Sequence, residues 1–485
     1  MSLKKQTLWS LAPLLVVTVV NLFSVPMFYH SLGAEMYALW FYVLTFSGSF
    51  GFMDLGLGVA VGRYMGVAMG RGDQVAVRSY WATGNAIAIP LLGCMALVFT
   101  TIGVVFGPKW FNIAPQQASL LRSSFIAGGV GLFFSYYGQF WNNLSQAHLD
   151  FKFLSIVRIA ISFLQIFPSI LIAYFTGNPF LIILWTTITS GLQLLVYILH
   201  ARKNYSLGFH LREASWADMH EMASYTGKTF VTLLINSLLG SVDRLILGKL
   251  APATAFAQYN IATNVGGRIF GLSNAVMGPV FHNTSRTMGD SSQVTPAEIY
   301  NETFRSMFGW YLLAGVWATV WAKPALQLWL GTQLGSEMKP ILAPILIGFC
   351  ISAISNISGS QLGPLNRVEI GIYFHIAAGL LLLGGVWIGW YFAGIKGVAY
   401  GFLASRFALV AQDIFVIRLV HGEGWFARET WEQIAIQSLI GLGFYLVVSL
   451  VGDARYVWIP LALLHAGVII FWLLKESIRL KPARA

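Results

Sequence analysis

Charged residues are scarce in this chain of 485 residues: Asp, Glu, Lys and Arg make up 10% of it, where an ordinary soluble domain carries about 25%. So few charges cannot cover a water-facing surface, which excludes a cytosolic enzyme, a secreted scaffold and a disordered chain. Cysteine is nearly absent. Cys94 and Cys350 each sit in an apolar run, so neither a disulfide framework nor a Cys-rich metal site is expected. No Gly-x-x-x-x-Gly-Lys loop is present to cradle nucleotide phosphates, and no His-Glu-x-x-His pair to hold zinc. ATP is therefore not the expected engine, and no resident metal or cofactor is expected. Acidic residues are the scarcer sign, 19 against 30 Lys and Arg, for a formal net charge of +11.

What is present is apolar. Hydrophobic residues make up 56% of the chain and the mean hydropathy is +0.68. The 17 Trp and 16 Pro suit a helical membrane protein, where Trp anchors at interfaces and Pro is tolerated inside spans. A bilayer core of about 30 Å needs about 20 apolar residues per helix. Runs of that kind occupy 8–28, 36–58, 80–106, 118–140, 154–175, 180–200, 226–249, 256–281, 303–322, 341–361, 370–392, 397–418, 434–451 and 457–474. None alternates as a barrel strand would, and each is about twice a barrel strand's length. The expected fold class is all-α, a polytopic membrane protein with about 14 transmembrane helices. Lys4 and Lys5 ahead of the first run imitate a signal peptide. That run carries Asn21 and Pro26 and lacks a small-residue cleavage site, so an uncleaved first span is expected.

With the amino end placed in the cytoplasm, twenty Lys and Arg fall on that side and eight on the other, with Arg268 and Arg406 inside spans. This positive-inside bias puts both termini in the cytoplasm. Anionic lipid headgroups are the expected partners of the basic rim, and nucleic acid is not an expected partner. Residues 201–224 form the longest polar interruption, with Lys203, Arg212, Glu213, Asp218 and Glu221 among Leu211, Trp216 and Met219, a pattern that suits a helix on the cytoplasmic interface. It divides an N-terminal six-helix lobe, 1–200, from a C-terminal six-helix lobe, 225–420; a further helix pair and basic tail occupy 421–485. The lobes echo each other. Tyr37-Ala38-Leu39-Trp40 opens the second span as Phe256-Ala257-Gln258-Tyr259 opens the eighth, and Gly72-Asp73 follows the one as Gly289-Asp290 follows the other. Transporters are commonly built from such repeats, with the substrate between them.

Polar groups in the bilayer are costly unless they face a cavity or a partner. On the eighth span Asn260, Asn264 and Arg268 recur every fourth residue, beside Gly267 and Gly271, which stacks them on one helix face. Arg268 stands near the middle of its span, too deep to snorkel. The seventh span carries Thr229, Asn236, Gly240, Asp243 and Arg244; the first offers Ser10, Pro13, Asn21 and Ser24; the second Ser47, Gly51 and Asp54. For most of these, interhelical packing and hydrogen bonding is the simpler reading. Asp243 and Arg244 suit a structural ion pair as well as function, and Asp54 suits a cap or a pair with Arg63. Arg406 and Asp413, two turns apart on the twelfth span, are read as satisfying partners on neighbouring helices, and His375 and His465 as interior hydrogen-bonders. Arg268 is different. A guanidinium forks onto phosphate or carboxylate oxygens, so a hydrated cleft holding it favours an anionic head group.

The run Leu32-Gly33-Ala34-Glu35-Met36-Tyr37-Ala38-Leu39-Trp40, then Asp54-Leu55-Gly56-Leu57, Arg63-Tyr64 and Gly72-Asp73, resembles the opening of the polysaccharide transporter branch of the MOP flippase superfamily. That superfamily includes O-antigen (Wzx-type) flippases, the lipid II flippase and the MATE drug exporters. Asp243-Arg244-Leu245-Ile246-Leu247-Gly248 with Ala257-Gln258-Tyr259 resembles its seventh-to-eighth span junction. The likeness runs over residues 5–420. One departure is the span count, since many polysaccharide flippases have twelve; another is Leu250-Ala251, where a Leu-Gly signal is degraded in the second half.

The resemblance implies a central cavity lined by spans one, two, seven and eight, and alternating access. It also implies an undecaprenyl-pyrophosphate-linked oligosaccharide carried from the cytoplasmic to the periplasmic leaflet of the inner membrane, for O-antigen, lipopolysaccharide or exopolysaccharide synthesis. The substrate-binding residues expected are Arg268 on pyrophosphate or an acidic sugar, Asn21, Asn236, Asn260 and Asn264 on sugar hydroxyls, and Arg244. Asp54 and Asp243 are the expected coupling-ion sites for H+ or Na+. A polysaccharide polymerase or co-polymerase is the expected protein partner, and no enzyme activity is expected. The alternative is a MATE-like cation-coupled drug exporter, which would place carboxylates where Arg268 stands. A structural protein of a polysaccharide machine would have no hydrated cavity. A membrane glycosyltransferase would need a large acidic outer loop, whereas the loop expected at 323–340 holds only Glu337.

Overall fold

Apolar segments with no water to satisfy their amides close their hydrogen bonds internally as helices, and the computed structural model obeys that rule wherever it is described. It describes residues 3–54, 57–148, 150–209, 211–222, 240–289, 321–362 and 367–421, with single residues elsewhere, and, from Val16 onward, most but not all of their side chains. The helices are α1 (Leu3–Ser49), α2 (Leu57–Gly70), α3 (Gln74–Trp110), α4 (Pro115–Ala147), α5 (Phe151–Thr176), α6 (Pro179–Asn204), α7 (Val242–Leu250), α8 (Ala253–Gly289), α9 (Ala322–Leu330), α10 (Thr332–Leu362), α11 (Val368–Ser405) and α12 (Phe407–His421). No strand occurs among the described residues, and seven helical stretches there are long and apolar enough to cross a membrane. This is an all-α polytopic membrane protein. Its long helices carry large apolar side chains on their outer surfaces, such as Phe167 and Phe175 on α5 and Leu380 and Tyr391 on α11. That pattern suits lipid and would be an aggregation hazard in water.

Two of the seven stretches are hairpins. In α1 the helix breaks at Gly33, whose φ of 71° and ψ of 169° lie where only glycine is comfortable. The chain reverses there, so Phe28 and Trp40, twelve residues apart, bring their rings to 4.7 Å. In the second half the equivalent site, Ala251, cannot take that conformation. The chain turns instead through extended Ala251 and Pro252 before α8 begins. α11 reverses at Ala393–Gly394, and its arms press Gly385 against Gly401 and Gly389 against Gly397 so closely that a Cβ on any of them would strike opposing backbone. Small residues at four-residue spacing allow this approach.

Caps and glycines set the other boundaries. Asp73 accepts from the Ala76 amide at 2.9 Å to start α3, and Asp150 and Asn178 do the same for α5 and α6. Gly177 ends α5 in the left-handed conformation. Three expectations change. The second span does not run unbroken to 58; it stops at Ser49, passes through a 3-10 turn at Gly51–Asp54 and resumes as α2. The outer loop expected at 323–340 is helical, forming α9 and the first two turns of α10 with Gly331 (φ 90°) between them. In the polar linker, α6 reaches Asn204, a 3-10 turn covers Leu211–Glu213 and a short helix covers 216–222, because these residues dock on α3 rather than forming one long surface helix. Much of the spans expected at 226–249 and 303–322, and most of 434–451 and 457–474, lies outside the described residues.

The chain divides into two compact units, Met1–Ala257 and Gln258–Ala485. In the first, residues 242–257 pack beside α1 and the α3–α4 turn. Tyr42 stacks between Phe111 and Phe256, Trp110 donates to the Leu245 carbonyl at 3.1 Å and Asn112 to that of Lys249 at 2.8 Å. Beneath them Phe46, Phe50, Phe99 and Phe125 form a buried aromatic cluster. In the second unit the core is Tyr300, Phe304, Tyr311, Cys350, Ile357 and Val416.

Candidate functional site

α8 presents two unlike faces. One is packed: Gly266 abuts Phe349 of α10, and Ser273, buried, donates to the Ala353 carbonyl at 2.8 Å. The other carries Asn260, Asn264, Gly267, Arg268 and Gly271, which helical geometry gathers within about a quarter turn. Among the described residues nothing lies within 4 Å of where a Cβ on Gly267 or Gly271 would stand, so this face borders open space. Arg268 is half-buried, fifteen residues into α8 and twenty-one from its end, and has neither an ion pair nor a hydrogen bond among the described residues. A cation this far from either helix end, with no partner among the described residues, is available to a soluble or lipid-borne anion.

The rest of the stripe is graded. Asn264 is half-buried and donates to the Asn260 carbonyl at 3.3 Å. Asn260 is fully buried (0% exposed), and its carbonyl also receives the Thr263 hydroxyl at 3.2 Å. The polar stripe thus runs from a packed end at Asn260 to an open end at Arg268 and Gly271.

In the first unit Asn21 is half-buried on α1; its amide nitrogen donates to the Val17 carbonyl at 2.7 Å and its own carbonyl receives the Ser24 hydroxyl at 2.8 Å. Arg244, in the first turn of α7, donates to the Gly240 carbonyl at 2.6 Å. Its Nε stands 3.9 Å from Asp243 Oδ1, and Asp243 itself is 4% exposed. Asp243 and Arg244 therefore form a loose, largely local pair beside Ser241, which lies against Gly48 of α1. Asp54 ends the 3-10 turn after α1, and its side chain lies outside the described residues, as does Arg63's. Asn236 and His465 lie wholly outside them. His375 is exposed and bonds the Gly371 carbonyl of its own helix at 2.7 Å, which corrects the interior role expected of it. The isolated helix turn supplies its partner, and no neighbouring helix is needed.

Two polar assemblies take shape only in the fold. One docks the linker: Trp81 donates to the Gly208 carbonyl at 2.8 Å, Ser79 to Asp218 and Tyr80 to Glu221 at 3.0 Å. The alternation of acid and apolar residues over 216–222 was the available signal. The second surrounds Asp413 of α12, which receives the Ser355 hydroxyl of α10 at 2.6 Å. A lone Asp in a span predicts a partner, and the structure supplies it. Arg406 lies over the Phe402 ring at 4.2 Å.

The profile of a family described as "Polysaccharide biosynthesis protein" matches residues 3–284, more than half of the chain. The chain belongs to this family. Its likeness to the lipopolysaccharide biosynthesis protein WzxC of Escherichia coli (strain K12) is 24% identity over 293 residues, covering 58% of this chain and 56% of that protein; the match thus spans little more than half of the curated relative's length. Among solved structures, the lipid II flippase MurJ in an inward closed conformation aligns with a TM-score of 0.76 at 12% identity, covering 97% of this chain and 99% of that one. An inward-facing MATE family transporter of the MOP superfamily aligns with a TM-score of 0.68 at 13% identity over 86% and 98%. A Vibrio cholerae MATE transporter, VcmN, aligns at 0.64, 15% identity, 86% and 97%. This polysaccharide biosynthesis family member therefore has the fold of the MOP superfamily transporters.

Proposed function

We propose that the chain flips a lipid-linked oligosaccharide, carried on undecaprenyl pyrophosphate, from the cytoplasmic to the periplasmic leaflet of the inner membrane by alternating access. It acts as a transporter and not an enzyme. The observation that carries this reading is Arg268, a cation deep in α8 with no partner among the described residues, on the face that carries Gly267 and Gly271. Membership of the polysaccharide biosynthesis family makes the passenger a glycan, and the cation makes its linked end an anion. Arg268 forks onto pyrophosphate or an acidic sugar. Asn21, Asn236, Asn260 and Asn264 serve sugar hydroxyls, and Arg244 is a further contact. Asp54 and Asp243 are candidate sites for H+ or Na+. Both termini face the cytoplasm, and the basic rim lies on anionic lipid, where exposed Trp216 (79%) suits the headgroup layer. A polysaccharide polymerase or co-polymerase receives the product.

The MATE-like fold supports a second reading, cation-coupled drug export. A cationic drug would be repelled by Arg268, which disfavours it. The test is reconstitution of the full chain in vesicles carrying a fluorescent undecaprenyl-pyrophosphate oligosaccharide. Accelerated movement between leaflets, lost in Arg268→Ala, is the expected result. Efflux of a lipophilic cation with no glycan movement would overturn it.

A further inference from the structure

Away from the Arg268 face of α8, the second unit holds a buried carboxyl that is only partly satisfied among the described residues. Asp413 of α12 is buried; its Oδ2 accepts from Ser355 Oγ of α10 at 2.6 Å, and the Ser358 hydroxyl also lies toward the carboxyl. Its Oδ1 has no hydrogen-bond partner among the described residues, and none of the ion pairs there reaches it. The adjacent Gln412 is also buried, lies over Gly359 of α10 and aims its amide nitrogen at the Ser355 carbonyl, 3.5 Å away. Its amide oxygen is unpaired too. One turn along α10, Ser358 shares a hydrogen bond of 2.9 Å with the Tyr300 hydroxyl.

The unpaired atoms at this turn are both acceptors. A carboxylate adds more acceptor capacity and a buried charge without a counter-charge. A carboxyl group carries a donor hydrogen that such a site lacks. Among the described residues, the other groups facing this region do not supply a charge. On α10 and in the described part of 300–311 they are Cys350, Tyr300 and Tyr311, all neutral when protonated. On α12, none of the ion pairs among the described residues joins Arg406 or Arg418 to Asp413, and on α11 Glu369 is exposed and 3.9 Å from Arg367, with His375 exposed.

We propose that Asp413 is a proton-binding site at the α10–α12 contact. Its Oδ1 takes a proton from water when the contact opens, holds it while Gln412 and Ser355 close over the carboxyl, and returns it to water when α12 moves off α10. Use of this proton to drive export rests on the flipping reading above; the site itself does not.

The experiment uses the full chain in lipid, with infrared difference spectra recorded across a pH titration. A protonated-carboxyl band that appears as pH falls, shifts in heavy water and is lost in Asp413→Asn is expected. Ser355→Ala keeps the carboxyl and removes its donor, so the band should persist with a displaced midpoint, which guards against a poorly folded Asn variant. An unchanged titrating band in Asp413→Asn overturns the proposal. So does loss of the wild-type band on adding Na+ at fixed pH, which would make the ligand a sodium ion. In transport assays the wild type should respond to a pH gradient and Asp413→Asn should not. A titrating Asp413 band without any glycan movement would remove the flipping reading and leave the proton site standing.

Discussion

Arg268 concentrates the functional question in one side chain. A guanidinium in a bilayer span costs about 2.5–3.5 kcal/mol by insertion measurements, and here no carboxylate among the described residues offsets that cost. Arg268→Ala is therefore expected to leave insertion and folding intact while abolishing glycan export. Arg268→Lys should restore it only in part, because an ammonium lacks the planar fork. Surface polysaccharide in a complemented deletion strain, read against the amount of protein in the membrane, checks both. A second residue-scale outcome concerns Tyr205, just past α6. Its hydroxyl donates to Asp150 Oδ2 at 3.1 Å, an oxygen that His200 also contacts at 2.9 Å. Burial first, then the charge of Asp150, pushes the Tyr205 phenol up to about 12. A folded value above the unfolded one of about 10 means that the stabilisation is complete below pH 10 and is lost between about 10 and 12. Tyr205→Phe should remove that alkaline step from a hydrogen-exchange profile of the α6 end, and cost about 0.5–1.5 kcal/mol locally at neutral pH.

At the scale of elements, breaks in helices matter as much as the helices. Gly33 reverses the chain at a φ and ψ reserved for glycine, so Gly33→Ala should cost about 1–3 kcal/mol although the space beside it is open. Its effect would be strain rather than a clash. Gly389→Val is the opposite case. Its side chain meets Gly397 backbone, and overpacking of about 1–3 kcal/mol or more should open the α11 hairpin. Limited proteolysis at the Ala393–Gly394 turn reports it: faster cleavage in Gly389→Val, with wild-type rates in Gly384→Ala, where the structure leaves room. These elements were unequally legible. The apolar runs predict α3 to α6 and the first arm of α11 closely, and the 397–418 run covers its second arm together with α12, because burial in lipid leaves a continuous signal. The interruption after Ser49 and the helical course of 322–340 were not legible, since there a helix depends on caps, glycine and packing against neighbours instead of on apolar length. The stripe at Asn260, Asn264 and Arg268 could be read from four-residue spacing alone. That Asn260 closes into packing while Gly267 and Gly271 stay open could not.

For the whole molecule, the proposed outward direction agrees with electrostatics. The membrane potential is worth about 2.3 kcal/mol per charge per 100 mV, so an anionic passenger moves outward downhill when the interior is negative. In vesicles, imposing that potential should speed movement of the pyrophosphate-linked glycan in the outward sense, and reversing it should slow it. A rate indifferent to potential would mean that charge on the passenger is neutralised before it moves.

Composition and apolar run length determined, without coordinates, that this chain lives in lipid as a bundle of helices, because a bilayer admits few other solutions for a backbone of this polarity. The spacing of Asn260, Asn264 and Arg268 along one face was equally determined, since 3.6 residues per turn is a local property. Which members of that face meet open space, that Arg244 spends its donors on Gly240 and Asp243, and that Ser355 crosses from α10 to Asp413 were decided only by tertiary packing. Those facts depend on which helices lie side by side, and local periodicity carries no information about a neighbour far along the chain.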